Sequence, residues 1–398
     1  MRTEMSSRER LLAAFRRQPH DHVPFSPYTG QGPWWERPLY WRDQFERADR
    51  MLELGLDPTI DIWLPDPEPH PDVEIRTWRD TSGPEPLLTK EYRTPAGVLR
   101  QVVRESPDWC SAQHGPWVPT TFGIEKRAHY NLDLIDDHAV SRRTEPWIKG
   151  EADLEKLRYL IRAPRGHALD EWRMDAARAG EMARQREVLL QARRTITGDA
   201  FMWFCDIPEF AVCMIEAPGF VREFLAIFEG WAEDLTVLAL EAKVDVVQHR
   251  GWYEIPTYWG VQPWREYLMP FVQRQAAMVH AAGKLHSYLL PEGHGPLSGA
   301  LRELGTDVLF AVDPRKLHGG DLHSLFAALG DGKCFWGGVN AEVTVASGSE
   351  AQIRAEVREA VEALGGNHGL VLSALLFSDV PTARILALVE AWRECADR

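Results

Sequence analysis

Five times in the second half of this 398-residue chain a short apolar run ends in a polar residue, and four helical stretches closed by glycine separate the five runs. The exit residues are His249, His286, Asp313, Asn340 and Ser373, spaced 37, 27, 27 and 33 residues apart. The runs are VDVVQHR, KLHSYL, DVLFAV, KCFWGGV and GLVLSA. Between them, amphipathic segments at about 263–282, 296–304, 322–329 and 350–364 end at Gly283, Gly305, Gly330 and Gly365. Helices closed by glycine and followed by apolar strands are βα units, and this beat implies a parallel sheet. Successive units without a dinucleotide fingerprint favour a closed barrel over an open sheet.

The first half reads less clearly. A helix at 7–17 precedes a candidate first strand at 23–28, and 188–197 (VLLQARRTIT) is a further strand. Between them, β-rich runs at 73–79, 87–93 and 98–104 follow one another without helices, with TPAG as the turn before the last. This predicts an antiparallel meander inserted at about 71–113. A short charged helix is expected at 151–161. The fold expectation is one α/β domain over 1–398, a (β/α)8 barrel with an N-terminal helix and that insertion.

Composition narrows the function. The net charge of −14 comes from dispersed acids, which argues against nucleic acid and anionic membranes as partners, since both require a basic face. Five cysteines (Cys110, Cys205, Cys213, Cys334, Cys395) without a CxxC pair suit a reducing cytoplasm, and the charged start MRTEMSSRERLLAAF lacks the apolar core of a signal peptide. Sixteen tryptophans, Trp34 and Trp35 adjacent, suit either a pocket for flat ligands or bulky core filling.

A parallel barrel gathers its strand exits on one rim. His249, Glu254, His286, Asp313 and Asn340 are therefore expected to converge on one cavity, with Leu285 facing the helices and His286 the lumen. His286, His249 and Asp313 are the catalytic candidates. Arg250 is placed to hold a substrate carboxylate or phosphate, or to pair with a nearby acid. Trp252, Tyr253, Tyr258 and Trp259 would form an aromatic wall beside it, with Tyr288 and Asn340 also contacting substrate. Glu292 and His294, in PEGHGP, are alternative ligands or solvated loop residues. Cys205, Cys213 and Cys334 read as packing residues.

Several stretches resemble the uroporphyrinogen decarboxylase superfamily. SSRERLLAAFRRQPHDHVPF resembles its opening helix and Asp-x-Val-Pro entry to the first strand; YRTPAGVLR, then TEPWIKGEADLEKLRYL, resembles a stretch of its methyltransferase-like branch. VQPWREYLMPFV resembles its Ser-Pro-x-x-x-Arg-x-x-x-x-Pro helix, and GKLHSY, ELGTDVLFAVDP, GKCFWGGVN and GLVLSALLFSDVP fall where it places its last strands. The resemblance implies a distorted (β/α)8 barrel and a homodimer. True decarboxylases carry an Arg-Gln-Ala-Gly-Arg-Tyr segment that grips porphyrinogen carboxylates; here GQGPWWERPLYW supplies one arginine, Arg37, and SALLFS replaces a terminal Gly-His-Gly. An eight-carboxylate substrate needs more cationic forks than that. Coenzyme-M-linked methyltransferases hold zinc through His-x-Cys and a distal Cys, which here become His286-Ser287-Tyr288 and the Leu375–Leu376 region. Members that demethylate methoxylated aromatics use two Glu and a His, and the matching set is Glu254, Glu266 and His286, holding zinc. The resemblance thus implies a methyltransferase that passes a methyl group from a methoxylated aromatic or quaternary substrate to a separate corrinoid protein, since this chain has no Asp-x-His-x-x-Gly loop of its own. The alternatives are a decarboxylase or lyase on a small carboxylated substrate and a non-catalytic ligand-binding barrel.

Overall fold

The computed structural model describes residues 4–29, 41, 43–105, 117–120, 123–126, 133–365, 368–376 and 380–396. The strands in chain order are β1 (Tyr28–Thr29), β2 (Thr59–Trp63), β3 (Glu74–Asp80), β4 (Leu87–Thr94), β5 (Gly97–Arg104), β6 (Trp117–Thr120), β7 (Gly123–Lys126), β8 (Arg143–Glu145), β9 (Leu189–Thr195), β10 (Val246–Arg250), β11 (Leu285–Leu289), β12 (Val308–Val312), β13 (Cys334–Gly338), β14 (Leu370–Ser373) and β15 (Leu375–Leu376). Seven form one parallel sheet in the order β14-β13-β12-β11-β10-β9-β2. Its helices are Gly166–Arg186, Pro218–Glu241, Met269–Ala281, His294–Glu303, Leu322–Leu329, Glu350–Leu364 and Thr382–Arg393. The expected beat is therefore real: His249, His286 and Ser373 lie within their strands, Asp313 follows β12 directly and Asn340 lies two residues beyond β13.

The sheet is curled. Ser26 donates its backbone N–H to Leu372 at one edge, β1 pairs in parallel with β15, and Asp57 donates its backbone N–H to Phe25, next to the other edge. The expected first strand at 23–28 is thus shorter and more irregular, a bridge between Phe25 and Leu372 followed by β1. Curling divides the side chains into two sets. Leu189, Val246, Leu285, Val308, Cys334 and Val371 meet Leu11, Leu12, Ala14 and Phe15 inside the curl. Leu190, Val247, Tyr288, Leu309, Phe335 and Leu370 belong to the larger core shared with the outer helices.

The N-terminal helix Ser7–Phe15 closes the floor of the curl. It starts with a capping box, in which Ser6 and Glu9 satisfy each other's exposed backbone donors. Arg10, buried, ties it down through Asp21 and Asp57 at 2.6 Å each. Burial of each large apolar side chain there is worth about 1.5–3 kcal/mol.

The meander is present as β3-β4-β5, antiparallel throughout, and β8 adds a fourth strand that the sequence did not suggest. Gly97, at φ 128°, takes the turn position where a side chain would be strained. The expected end of the insertion, at 113, lies outside the described residues, as do Trp34, Trp35, Arg37, Cys110 and Ser378. The helix expected at 151–161 is shorter, a turn at Glu151–Asp153 and a helix at Leu154–Leu157. The segment expected as one helix at 263–282 contains a π-helical turn at Trp264–Leu268 before the regular helix Met269–Ala281. Among the described residues, no helix is long and apolar enough to cross a membrane.

Candidate active site

Strand alternation decides which side chains reach the interior, and it overturns the expected register. Leu285 and Leu289 face inward against the floor helix, so His286 and Tyr288 face outward. On β10, Val246 faces inward and Val247 outward, which sends His249 to the helix side as well. His249 Nδ1 lies 2.9 Å from Gln275 Oε1, and His286 Nε2 lies 3.1 Å from the same oxygen. Gln275 belongs to the outer helix Met269–Ala281 and donates to Thr236 on the helix Pro218–Glu241. The two histidines expected at the mouth are scaffold groups between sheet and helices.

Glu254 completes that buried network. His249 Nε2 is 3.1 Å and 3.2 Å from its two oxygens. Tyr288 donates to Oε2 at 2.7 Å, while Thr197 and the Gly198 backbone N–H donate to Oε1 at 3.0 Å and 2.8 Å. Burial works against charge on both partners, yet Glu254 lifts the His249 pKa above its ordinary value and His249 holds the Glu254 carboxyl below its own. His286 has no such partner, and burial drives its pKa well down.

The proposed zinc set does not gather. Glu266 sits on the exposed side of the π-helical turn, paired with Arg222, while both Glu254 oxygens are already saturated by donors and His286 points into the helix layer. Among the described residues no cluster of three or more His, Cys, Asp or Glu side chains is arranged as a metal site. These residues do not fit zinc. The alternative ligand His294 is fully buried with both ring nitrogens unpartnered among the described residues, and burial lowers its pKa to about 3. A neutral buried imidazole contributes fully above its unfolded pKa of about 6.5 and loses that contribution as pH falls through its folded value. A His294→Leu variant should therefore show a flatter urea midpoint between pH 7 and pH 4 than the parent; equal slopes would contradict this.

Asp313 and Asn340 do come together: Asn340 Nδ2 donates to Asp313 Oδ2 at 2.8 Å. Their remaining bonds are structural, because Asp313 accepts from the Arg315 backbone and Asn340 Oδ1 caps the turn at Val343. Burial raises the Asp313 pKa. Neither contacts His286. Arg250 lies at the exit of β10, half-wrapped by aromatic rings: its guanidinium carbon is 5.0 Å from the Trp203 ring, 6.0 Å from Trp252 and 5.2 Å from Tyr253. It pairs with Asp199 and, at 3.5 Å, with Asp137, the acid-pairing alternative of the sequence reading. Trp252 packs against the interior cluster, whereas the Tyr253 hydroxyl donates to Asp137 at 2.8 Å. Burial pushes the Asp199 carboxyl up to about 7 despite Arg250. Cys205 and Cys334 are buried as packing residues, and Cys213 is half-buried.

The interior itself carries a polar layer that sequence reasoning missed. Above the apolar floor, β2 presents Thr59 and Asp61, β9 presents Gln191 and Arg193, β10 Gln248, and β11 Ser287. Asp61 Oδ2 lies 2.9 Å from Arg193 Nε and 3.6 Å from Arg47 Nη2. Gln191 donates to Asp61 Oδ1 at 2.8 Å, and Arg193 donates to Gln248 at 3.4 Å. Burial favours the neutral acid, but the two arginines prevail and hold the Asp61 carboxyl below its ordinary range. Among the described residues Arg47 Nε, Gln191 Oε1, Gln248 Nε2 and Ser287 Oγ are buried without a hydrogen-bond partner. Buried polar atoms are seldom left so, and a group of them facing one interior marks a place for a ligand. Tyr28, Phe310 and Trp336 supply its aromatic wall, with Tyr28–Phe310 centroids 6.1 Å apart and Phe310–Trp336 4.6 Å. The available signal was polar residues of one parity inside apolar strands: Asp61 in TIDIW, Gln191 and Arg193 in LLQARRT.

Comparison with known proteins agrees with this architecture. A family model described as uroporphyrinogen decarboxylase (URO-D) matches residues 187–395. A solved methyltransferase from Methanosarcina mazei is 17% identical, with a TM-score of 0.56, covering 98% of this chain and 99% of that one. That likeness shows a shared fold. A D-psicose 3-epimerase (10% identical, TM-score 0.37, covering 57% of this chain and 84% of its own) and a B12-independent methionine synthase from a Shewanella species (12%, 0.34, covering 58% and 66%) are more distant. No curated protein sequence matches.

Proposed function

The chain belongs to the uroporphyrinogen decarboxylase (URO-D) family, and from that premise we propose that it is a methyltransferase-like enzyme. In this reading it takes a methyl group from a small methoxylated aromatic or quaternary substrate and gives it to a separate corrinoid protein. The curled sheet is read as a distorted (β/α)8 barrel in a single domain, with chemistry at its C-terminal mouth. The observation that carries the reading is the layer of unpartnered polar atoms around Asp61 and Arg193, walled by aromatic rings.

Breaking an ether C–O bond leaves an alkoxide or phenoxide, so the oxygen must receive a proton as the methyl group departs. The corrinoid of the partner would supply the nucleophile. This chain supplies position and a proton. Asp199, raised to about 7 beside Arg250 at the exit of β10, is an acid whose proton is available at neutral pH. Arg250 and the backbone N–H groups of Trp252 and Tyr253 stabilise the carboxylate left behind. Turnover should accordingly fall as pH rises through about 7, and an Asp199→Asn variant should be inactive without that slope. A pH–rate profile that stays level from pH 6 to 8.5 would remove Asp199 from the role.

One observation favours the second reading, a decarboxylase: Arg47 and Arg193 together could hold a carboxylate. The deciding experiment incubates the protein with methoxylated aromatic acids and a reduced corrinoid protein. A demethylated phenol supports methyl transfer; CO₂ release without demethylation replaces it with decarboxylation.

A further inference from the structure

We propose that the polar layer inside the sheet binds a planar organic monoanion, its carboxylate or phenolate lying against Arg47 and Arg193; this rests on that layer being the substrate site. The argument begins with charge. Arg47 and Arg193 are 5% and 6% exposed, and both reach one carboxylate, Asp61, at the same oxygen. Asp61 is the one acid among the described residues within ion-pairing reach of either arginine. Among the described residues, two guanidinium groups and one ionised carboxylate leave a single positive charge in this buried layer. A buried charge without a counter-ion is expensive, whereas an anion placed there cancels it. Arg250 does not alter this count, because Asp199 and Asp137 engage it separately.

The unpartnered atoms supply an independent observation. Arg47 Nε and Gln248 Nε2 are donors without acceptors, and the Ser287 hydroxyl can donate as well. All three residues are at least nine-tenths buried. Donors in excess of acceptors suit an anionic oxygen pair rather than a second donor. Gln191 Oε1 is the remaining unpartnered acceptor and suits a hydroxyl or a bound water.

Shape follows from the rings. The Arg193 guanidinium carbon is 5.3 Å from the Tyr28 ring centroid and 5.7 Å from that of Phe310, so the cation is flanked by aromatic faces and edges. In the proposed complex a flat ring lies along that wall with its anionic group against the arginines. A quaternary ammonium would add a second uncompensated positive charge and is the wrong class for this interior. Of the two substrate types implied by the family resemblance, the charge balance selects the methoxylated aromatic acid or phenol.

The test uses calorimetric titration of the full chain with three probes of one shape: 4-methoxybenzoate, its uncharged amide, and the trimethylanilinium cation. The anion is expected to bind at least about tenfold tighter than the amide, a difference of about 1.4 kcal/mol, with the cation weakest. Arg47→Gln should abolish the preference for the anion, while Arg193→Lys, which keeps the charge and loses the planar fork, should weaken binding less than Arg193→Gln. Equal binding of anion and amide, tighter binding of the cation, or no binding by any probe would overturn the proposal. The comparison of probes on the parent protein needs no variant to fold. Turnover is a separate readout: anion-selective binding without demethylation or CO₂ release removes the reaction assigned above and leaves this inference standing.

Discussion

A Glu254→Ala variant is expected to lose about 3–5 kcal/mol of stability, the usual consequence of removing one partner from a buried ion pair. The loss is large because one carboxylate satisfies four neighbours: His249, Tyr288, Thr197 and the Gly198 backbone. Removing it strands a charged imidazole and several donors where water does not reach. The sign with pH is fixed by the two shifts. Raised above its unfolded value, His249 stabilises fully below about pH 6.5 and loses that contribution as pH rises through its folded value. Lowered below its unfolded value, Glu254 stabilises fully above about pH 4.3 and loses that contribution in acid. The deficit should therefore be greatest between about pH 4.3 and 6.5 and smaller at pH 9. Urea unfolding at pH 5.5 and 9 measures both, and a loss under about 1 kcal/mol at pH 5.5 would show that the network is held by its remaining members.

Trp336→Ala should cost a similar amount, about 3–5 kcal/mol, for a different reason. Trp336 is almost fully buried in the interior, 4.6 Å from Phe310 and 5.4 Å from Phe15 between ring centroids. Its Nε1–H donates to the Ser26 carbonyl at 2.8 Å. Truncation opens a cavity that joins floor helix, first strand and β13, and leaves that carbonyl without its donor. Trp336→Phe should recover most of the packing while still forfeiting the hydrogen bond. Denaturant midpoints of the two variants separate the terms; equal losses would show that the hydrogen bond, not the volume, dominates.

The order of strands and helices was legible because glycine closes the helices and apolar runs follow them. The direction of individual side chains was not. Strands covered on both faces read as continuous apolar runs, and neither VVQHR nor LHSYL contains an alternation that reveals its inner side. The deciding contact is long-range: Leu285 and Val246 pack on Leu11, Leu12 and Phe15, and that turns His286 and His249 outward. The same parity turns Ser287 and Gln248 inward, so the polar residues that face the interior lie one residue from the expected ones. Arg250 does lie at the end of β10 with the Trp252 and Tyr253 rings beside it, whereas the Tyr258 and Trp259 rings of the expected wall pack on Phe201. Asp61 and Arg193 were missed because a strand-exit rule looks at ends, and Asp61 lies in the middle of β2. Glu266 lies in a π-helical turn, exposed and paired with Arg222, a local geometry that an amphipathic pattern does not announce.

The edge where Ser26 meets Leu372 bears on how the chain reaches this state. Trp392 donates its Nε1–H to the Val23 carbonyl at 2.8 Å across 369 residues of sequence, and Tyr28 reaches Ser373 across 345. Each such bond must wait until nearly everything between has been ordered, because closing a long loop is entropically unfavourable until other contacts compensate. The seam should therefore be the last part to assemble during refolding and the first to exchange its amide protons by partial opening. A covalent cross-link between residues 23 and 396, already bonded through the Val23 N–H at 2.9 Å, would convert this slow encounter into a local one while keeping the floor helix in the chain. Refolding of the cross-linked protein should then be faster than that of the parent.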